Sequence, residues 1–385
     1  ENLVRFACWI NADDRASGRA GTGAVGGSKN LKCIVIKGDR KNMPKPAEAE
    51  AFKKANDDCL AAINVNPVTA PKEGDLHLYG TNVLANMLNE VGGYPTRNAQ
   101  RTVFDQVDAV SGETVADTIL VKRPTCWACP VACKKHVEIT EGKHKGLEME
   151  SMEYETVWSF GPMCDISDTG AIAALIDRCN DFGIDAIEAG DAVAMTMEAT
   201  QKGLVDGPAW GDSDAALALV TDMVFRQGLG ADLAEGMDPC SEKWGDPSNA
   251  MTVKGQSIPA YDPRAVQGMG IGYATSNRGA CHLRGYTPAA EVVNWVLGEE
   301  SAADPLAWEG KAELQMIFQN VYGFTDSLDV CKFGTFAIPL SIYSDMYAGM
   351  TGVPLDPAGL LKIGERVYNL ERYYNNLAGF REGSD

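Results

Sequence analysis

Cys126-Trp127-Ala128-Cys129-Pro130-Val131-Ala132-Cys133, followed by Lys134-Lys135-His136, is the stretch around which the chain is organised. Three thiols within eight residues can converge on one inorganic centre. The two residues between Cys126 and Cys129 suit a tight loop around a metal or a cluster corner. Pro130, with its φ preset and no N–H, predicts the first residue of a helix, which places Cys133 about one turn in. Iron–sulfur clusters take Cys thiolates at such spacings, usually with a fourth from elsewhere. Zinc also takes Cys, but structural zinc sites pair two short hooks and no second hook follows here. Three small core residues are the bland reading, because free Cys packs well in cores. A four-iron cluster fits the spacing best.

Outward from the hook, the chain has 385 residues, enough for two or three domains with substantial cores. Its formal net charge of −19 argues against nucleic acid and anionic membranes as partners, since both require a basic face. Eleven cysteines, irregularly spaced, fit reduced thiols in the cytoplasm better than a disulfide scaffold. No apolar run approaches membrane-spanning length. The chain opens without Met or the pattern of a signal peptide, on a strand-like run, Leu3 to Cys8.

Arg15 to Asn30 holds five glycines with Arg15, Arg19 and Lys29 among them. Such a loop can cradle phosphate or serve only as a flexible connection. Leu31 to Lys37 predicts a β-branched strand. From Pro44 the texture becomes helical, with Ala47 to Ile63, Tyr79 to Leu88, Asp168 to Cys179 and Asp191 to Lys202 as candidate helices. Gly183 is a candidate left-handed cap. Glu148 to Glu155 packs four carboxylates into eight residues, which residue chemistry alone reads as a solvated face. Glu155 differs, because it abuts the apolar Thr156 to Phe160, where burial can raise a carboxyl into proton-transfer range. In Gly268 to Arg284, glycines leave room for a flat ligand and His282 sits among polar donors; a lone His is by itself a weak signal. Cys331, in Thr325 to Phe333, is either a buried core thiol or the missing fourth cluster ligand.

Together these stretches resemble the tungsten-containing aldehyde ferredoxin oxidoreductase family. The resemblance runs from Glu1 nearly to Asp385. It rests on Arg-Ala-x-Gly-Arg…Gly-Ser-Lys-Asn-Leu-Lys near the start, the cysteine hook, Glu153-Tyr154-Glu155, Gly183-Ile184-Asp185, Arg278 to Arg284, and Asp326 to Phe333. It implies a mainly α chain, with two helical domains following the end of a β-rich N-terminal domain. The expected boundaries are 1–43 for that end, 44–250 for the helical domain with the hook, and 251–385 for a second helical domain. The resemblance also implies tungsten, or molybdenum, between two pterins, Mg²⁺ bridging their phosphates, and a 4Fe–4S cluster.

Carried over residue by residue, Cys126, Cys129, Cys133 and Cys331 resemble the cluster ligands. Asn180, Gly183, Asp185, Asp326 and Val330 stand where two Asp-x-x-Gly-x-(Asp/Cys) motifs hold the pterins. Asn180 replaces an Asp and Asp329 replaces a Gly of those motifs. Arg15 and Ala16 resemble positions near the pterin phosphates, and Glu155 and His282 resemble the Glu and His beside the metal. The implied reaction is oxidation of a small aldehyde to a carboxylic acid, with electrons leaving to ferredoxin or a ferredoxin-like subunit in a homo- or hetero-oligomer. The rivals are a relative reducing an aromatic thioester ring and a non-catalytic iron–sulfur relay. The resemblance further implies that a β-rich domain precedes Glu1 and that a short tail follows Asp385.

Overall fold

Helix dominates the chain, as the apolar spacing after Pro44 predicts. The computed structural model describes residues 1–11, 15–150 and 152–380. Ser151 of the acidic run and the last five residues of the resemblance lie outside the described residues. Before and around the hook come α1 (Thr22–Ser28), α2 (Ala49–Val65), α3 (Asp75–Tyr79), α4 (Leu84–Glu90), α5 (Val107–Val110) and α6 (Gly112–Thr118). After it follow α7 (Tyr154–Phe160), α8 (Thr169–Phe182), α9 (Ala186–Gln201), α10 (Ser213–Phe225), α11 (Gly228–Leu233) and α12 (Met237–Trp244). The last part holds α13 (Gln267–Thr275), α14 (Pro288–Glu291), α15 (Lys311–Ser327), α16 (Leu340–Thr351) and α17 (Pro357–Leu377).

The strands are short and pair antiparallel: β1 (Trp9–Asn11) with β2 (Arg15–Ser17), and β3 (Leu120–Lys122), β4 (His136–Glu138) and β5 (Glu148–Glu150) in one sheet. Two further ribbons are β6 (Thr252–Val253) with β7 (Gln256–Ser257), and β8 (Trp295–Val296) with β9 (Glu299–Glu300).

Helix α9 is the centre of the molecule. Every residue from Ala186 to Ala199 is buried. A helix buried on every face must lie inside a core, and α9 takes Glu188, Asp191 and Glu198 in with it as it packs against α7 and α8. Its entry is chemically defined. The Asp168 carboxylate caps α8, Gly183 ends that helix at φ 70°, and Asp185 caps α9 by accepting the Ile187 N–H. A smaller apolar cluster of Cys59, Phe324, Ile338, Tyr343 and Leu360 joins α2 to the last three helices. There α15 and α17 approach so closely that a Cβ on Gly364 would fall 1.7 Å from the Asn320 carbonyl oxygen.

Four local expectations change. Leu3 to Cys8 is not a strand; Ala7 makes a single bridge to Ile184, and the N-terminal strand pair lies one step further on. Leu31 to Lys37 forms no strand, and Ile34, Val35 and Ile36 are 67%, 87% and 87% exposed. β-branched residues favour a strand only where a neighbour accepts the ladder, and none of the described residues does. Short strands also occur after Gly38. Pro130 starts no helix, because Ala128 and Ala132 sit at φ 56° and 51° and curl the hook instead.

Candidate active site and cluster hook

The hook closes on itself through the Cys129 N–H donating to the Cys126 carbonyl at 3.1 Å. The Thr125 hydroxyl donates to the Cys129 carbonyl at 2.6 Å. His77 Nδ1 lies 3.0 Å from the Val131 carbonyl, and the Lys135 amine donates to the Cys133 carbonyl at 2.8 Å. The carbonyls of the hook are thus tied to α3 and to the residues flanking the hook, Thr125 and Lys135, which takes the place of helical bonding. Cys331 comes from the turn after α15, about two hundred residues away in sequence. Burial raises its pKa, and the thiols of Cys129 and Cys126 raise it further. Burial pushes Cys133 up to about 12, with Glu153 and Cys331 adding to the shift. Cys331 therefore lies within electrostatic range of the hook thiols. All four are free thiols. Among the described residues no three His, Cys, Asp or Glu side chains crowd together as ligands of one metal ion do.

Beside the hook lies a cavity of about 240 Å³. Arg15, Cys133, Glu153, Glu155, His282 and Lys332 line it, with an apolar wall that includes Val83, Leu84, Met87, Tyr154, Tyr261, Tyr286 and Phe336. Glu155 projects from the first turn of α7, and Oε2 accepts the Ala260 N–H at 3.0 Å. Glu155 Oε1 lies 3.6 Å from His282 Nε2. Burial raises the Glu155 carboxyl to about 8, against smaller opposing effects of the Ala260 N–H and Arg19. Burial lowers His282 well below its usual range, helped by Arg19, Arg278 and Lys332. At pH 7 the pair is mostly neutral acid beside neutral imidazole, an arrangement able to take up or release a proton.

The acidic run is not a solvated face. Glu150 and Glu153 both bind the Arg15 guanidinium, at 2.8 and 2.7 Å, and Lys134 reaches Glu150 at 3.1 Å. The Thr81 hydroxyl donates to Glu153 at 2.5 Å. Only Glu148 stays open to solvent, where it meets His136. The glycines of the two rich stretches mostly serve packing rather than ligands. A Cβ on Gly26 would sit 2.2 Å from the Trp9 ring, and one on Gly268 would meet the Thr287 hydroxyl at 2.5 Å.

The pterin candidates fall in three places. Arg15 reaches the inner cavity, and its Nη2 is buried without a partner among the described residues. Ala16 lies beside it on β2, opposite Ile10. Asn180 and Gly183 line an open depression of about 1220 Å³, and the Asn180 amide nitrogen is likewise buried and unpartnered. These orphaned donors fit an acceptor-rich pterin with its phosphate. Asp185 is committed elsewhere: Oδ1 caps α9 and Oδ2 accepts from Arg19 at 3.1 Å. Asp326 is paired with Lys332, and the Val330 N–H bonds the Thr325 carbonyl at 3.3 Å. Asp329 occupies the left-handed region at φ 56°, a conformation open to Gly at little cost.

Sequence reasoning named Arg19 only as one of three cations in a glycine-rich stretch and missed its buried role. Its side chain is 5% exposed and binds Asp185, Glu188 and Ser257 at 3.1, 3.1 and 2.6 Å. It also missed Tyr261 and Tyr286, whose hydroxyls meet at 3.3 Å in the cavity wall. The Arg-Ala-x-Gly-Arg motif contains Arg19, but nothing local marks it as a buried hub.

The model of aldehyde ferredoxin oxidoreductase domains 2 and 3 matches residues 54–385, and that of the N-terminal domain matches residues 1–38. The chain belongs to the aldehyde ferredoxin oxidoreductase family. It is similar to the tungsten-containing aldehyde ferredoxin oxidoreductases of Thermococcus kodakarensis, at 36% identity, and Pyrococcus furiosus, at 37%. Both alignments cover 100% of this chain and 63% of the relative, so the chain spans under two thirds of the length of these family members. A Pyrococcus furiosus aliphatic sulfonate oxidoreductase, WOR-like subunit, is 27% identical over 74% of the chain and 48% of its own length. Among solved structures, an active-site complex of benzoyl coenzyme A reductase with 1,5-dienoyl-CoA aligns with TM-score 0.77 at 18% identity, covering 100% of this chain and 65% of that one. That likeness speaks to the fold of the family member. No helix among the described residues is long and apolar enough to cross a membrane.

Proposed function

We propose that the protein oxidises a small aldehyde to its carboxylic acid at a tungsten (or molybdenum) bis-pterin centre. In this reading the chain is the part of the enzyme that carries the acid–base pair and the 4Fe–4S hook, and it works in the cytoplasm within a homo- or hetero-oligomer. The supporting observation is that one cavity is lined by Glu155, His282 and the cluster thiol Cys133. Arg15 and Ala16 would lie toward the pterin phosphates and their Mg²⁺, with Asn180, Gly183, Asp185, Asp326 and Val330 toward the pterins. When bound, the pterin-held metal supplies the two-electron redox chemistry, and the cluster supplies a one-electron outlet to ferredoxin or a ferredoxin-like subunit.

The residues of the chain do the rest. Adding the elements of water to an aldehyde and removing two electrons releases two protons. The ionised fraction of Glu155 accepts one at Oε1, and His282 Nε2, 3.6 Å away, exchanges it onward. A carboxyl near pH 8 is well matched to that task, because the proton it takes up in one step leaves readily in the next. The wall of Tyr154, Tyr261, Tyr286 and Phe336 excludes water and accepts the substrate's apolar part. An apolar cavity of roughly 150 Å³ accommodates benzene, so about 240 Å³ leaves room for an aryl or short alkyl aldehyde. Arg15 is engaged by two glutamates through Nε and Nη1, which leaves its Nη2 as the open donor.

Metal analysis of the purified full-length enzyme, followed by aldehyde oxidation coupled to a viologen dye, tests the reading. Tungsten or molybdenum with four irons per chain and aldehyde-dependent dye reduction are expected. Iron without either metal would make the protein an electron relay. Reduction of an aromatic thioester with no aldehyde turnover would place it with the ring reductases.

A further inference from the structure

Lys135 is 2% exposed, and its ammonium donates to the carbonyls of Leu76 at 3.1 Å, Cys133 at 2.8 Å and Lys134 at 3.4 Å. The other cations near the hook are neutralised or turned outward. Lys134 binds Glu150, Arg15 binds Glu150 and Glu153, and exposed Arg123 bonds the His77 and Leu78 carbonyls. Lys135 has only neutral acceptors within ion-pair reach among the described residues. Space for its stem is reserved at Gly80, which sits at φ 68°. A Cβ there would meet the Cys133 carbonyl oxygen at 3.1 Å and Lys135 Cγ at 3.3 Å. A buried, unpaired amine costs stability, so its place against the main chain of a cluster-ligand residue calls for a reason.

We infer that Lys135 is a positioning residue for electron outflow: its ammonium charge, held against the Cys133 carbonyl, raises the reduction potential of the cluster that the four cysteines hold. The physics is Coulombic. A cluster gains negative charge on reduction, and a cation held close by in a low-dielectric surrounding stabilises that form. Cys133 also lines the catalytic cavity, so Lys135 stands where electrons pass from the cavity to the hook. The inference rests on the four-cysteine reading above.

The test is a redox titration at pH 7, monitored by electron paramagnetic resonance, on the full-length holoenzyme and on K135Q and K135R. K135Q keeps an N–H₂ donor for the carbonyls and removes the charge; K135R keeps the charge. The expected result for K135Q is a midpoint shifted negative, with the reduced-to-oxidised ratio at fixed poise about tenfold lower, or ~59 mV for a one-electron couple. K135R should remain close to the parent. A K135Q enzyme with full iron content and an unchanged midpoint overturns the inference. Loss of the cluster in K135Q overturns it too, because Lys135 would then be a structural prop for the hook. A parent enzyme with no four-iron signal is a distinct failure: it sinks the four-cysteine reading and this inference with it.

Discussion

His282 and Glu155 are 127 residues apart in sequence and 3.6 Å apart in the fold. Groups that transfer protons in the rate-limiting step contribute about 10²–10⁴-fold to rate, so H282N should cut aldehyde turnover by roughly that factor. Iron and pterin content should be retained; normal turnover in a metal-replete H282N enzyme would remove His282 from the mechanism. Glu155 makes a separate prediction about stability. Its carboxyl is raised from 4.5 to about 8 by burial, so the folded state holds a proton that the unfolded chain has released. Its contribution is therefore fully present below about pH 4.5 and is lost as pH rises through about 8, at roughly 1.4 kcal/mol per pH unit in between. E155Q cannot lose that proton. Denaturant melts should show E155Q gaining on the parent between pH 5 and pH 8.5, and parallel pH profiles would contradict a buried neutral Glu155.

At the scale of elements, the hook and the turn after α15 meet although each is locally irregular. C331A should lose the visible absorbance of the cluster, since three thiolates from the hook leave one corner open; retention of full absorbance would show that the fourth ligand lies elsewhere. The turn itself is under mild strain. Asp329 sits at φ 56°, a region Asp visits more readily than most residues but less readily than Gly, at a cost of up to about 1 kcal/mol. D329G should stabilise the protein by about that amount in thermal or urea melts. An unchanged or lowered midpoint would mean that the Asp329 side chain provides a compensating interaction. The hook also shows why Pro130 misleads. Pro permits a helix start, but bonds from Thr125, His77 and Lys135 hold the carbonyls, and two alanines take the left-handed region.

At the scale of the whole molecule, Arg19 ties the N-terminal segment to the central helix and to β7. It joins Asp185, Glu188 and Ser257 across sequence separations of 166, 169 and 238 residues. Glu188 and Asp191 are raised chiefly by burial, so the network already has more carboxyls than cations. Breaking a buried charge cluster by removing one partner costs about 3–5 kcal/mol. R19M should lose stability on that scale and also loosen the Gly183–Asp185 turn, because the Asp185 carboxylate would lose its outer partner. A loss below about 1 kcal/mol would place Arg19 among ordinary surface-type pairs.

The sequence by itself determined the chemistry with a short range. The three-thiol spacing, the helical periodicity after Pro44 and the Gly183 cap all depend on neighbours within a few turns, and the order of such local motifs along the chain places it in its family. The isolated runs Leu31–Lys37 and Glu148–Glu155 misled, because strand formation and solvation depend on what lies opposite, which a single segment does not contain. Tertiary structure alone decided that Gly26 makes room for Trp9, that Glu150 and Glu153 answer Arg15, and that Lys135 is buried without a counter-ion. It showed the burial that raises Glu155 and lowers His282. The physical reason is that burial, and with it the dielectric that sets a pKa, is a sum over segments distant in the chain, whereas spacing and capping are properties of one.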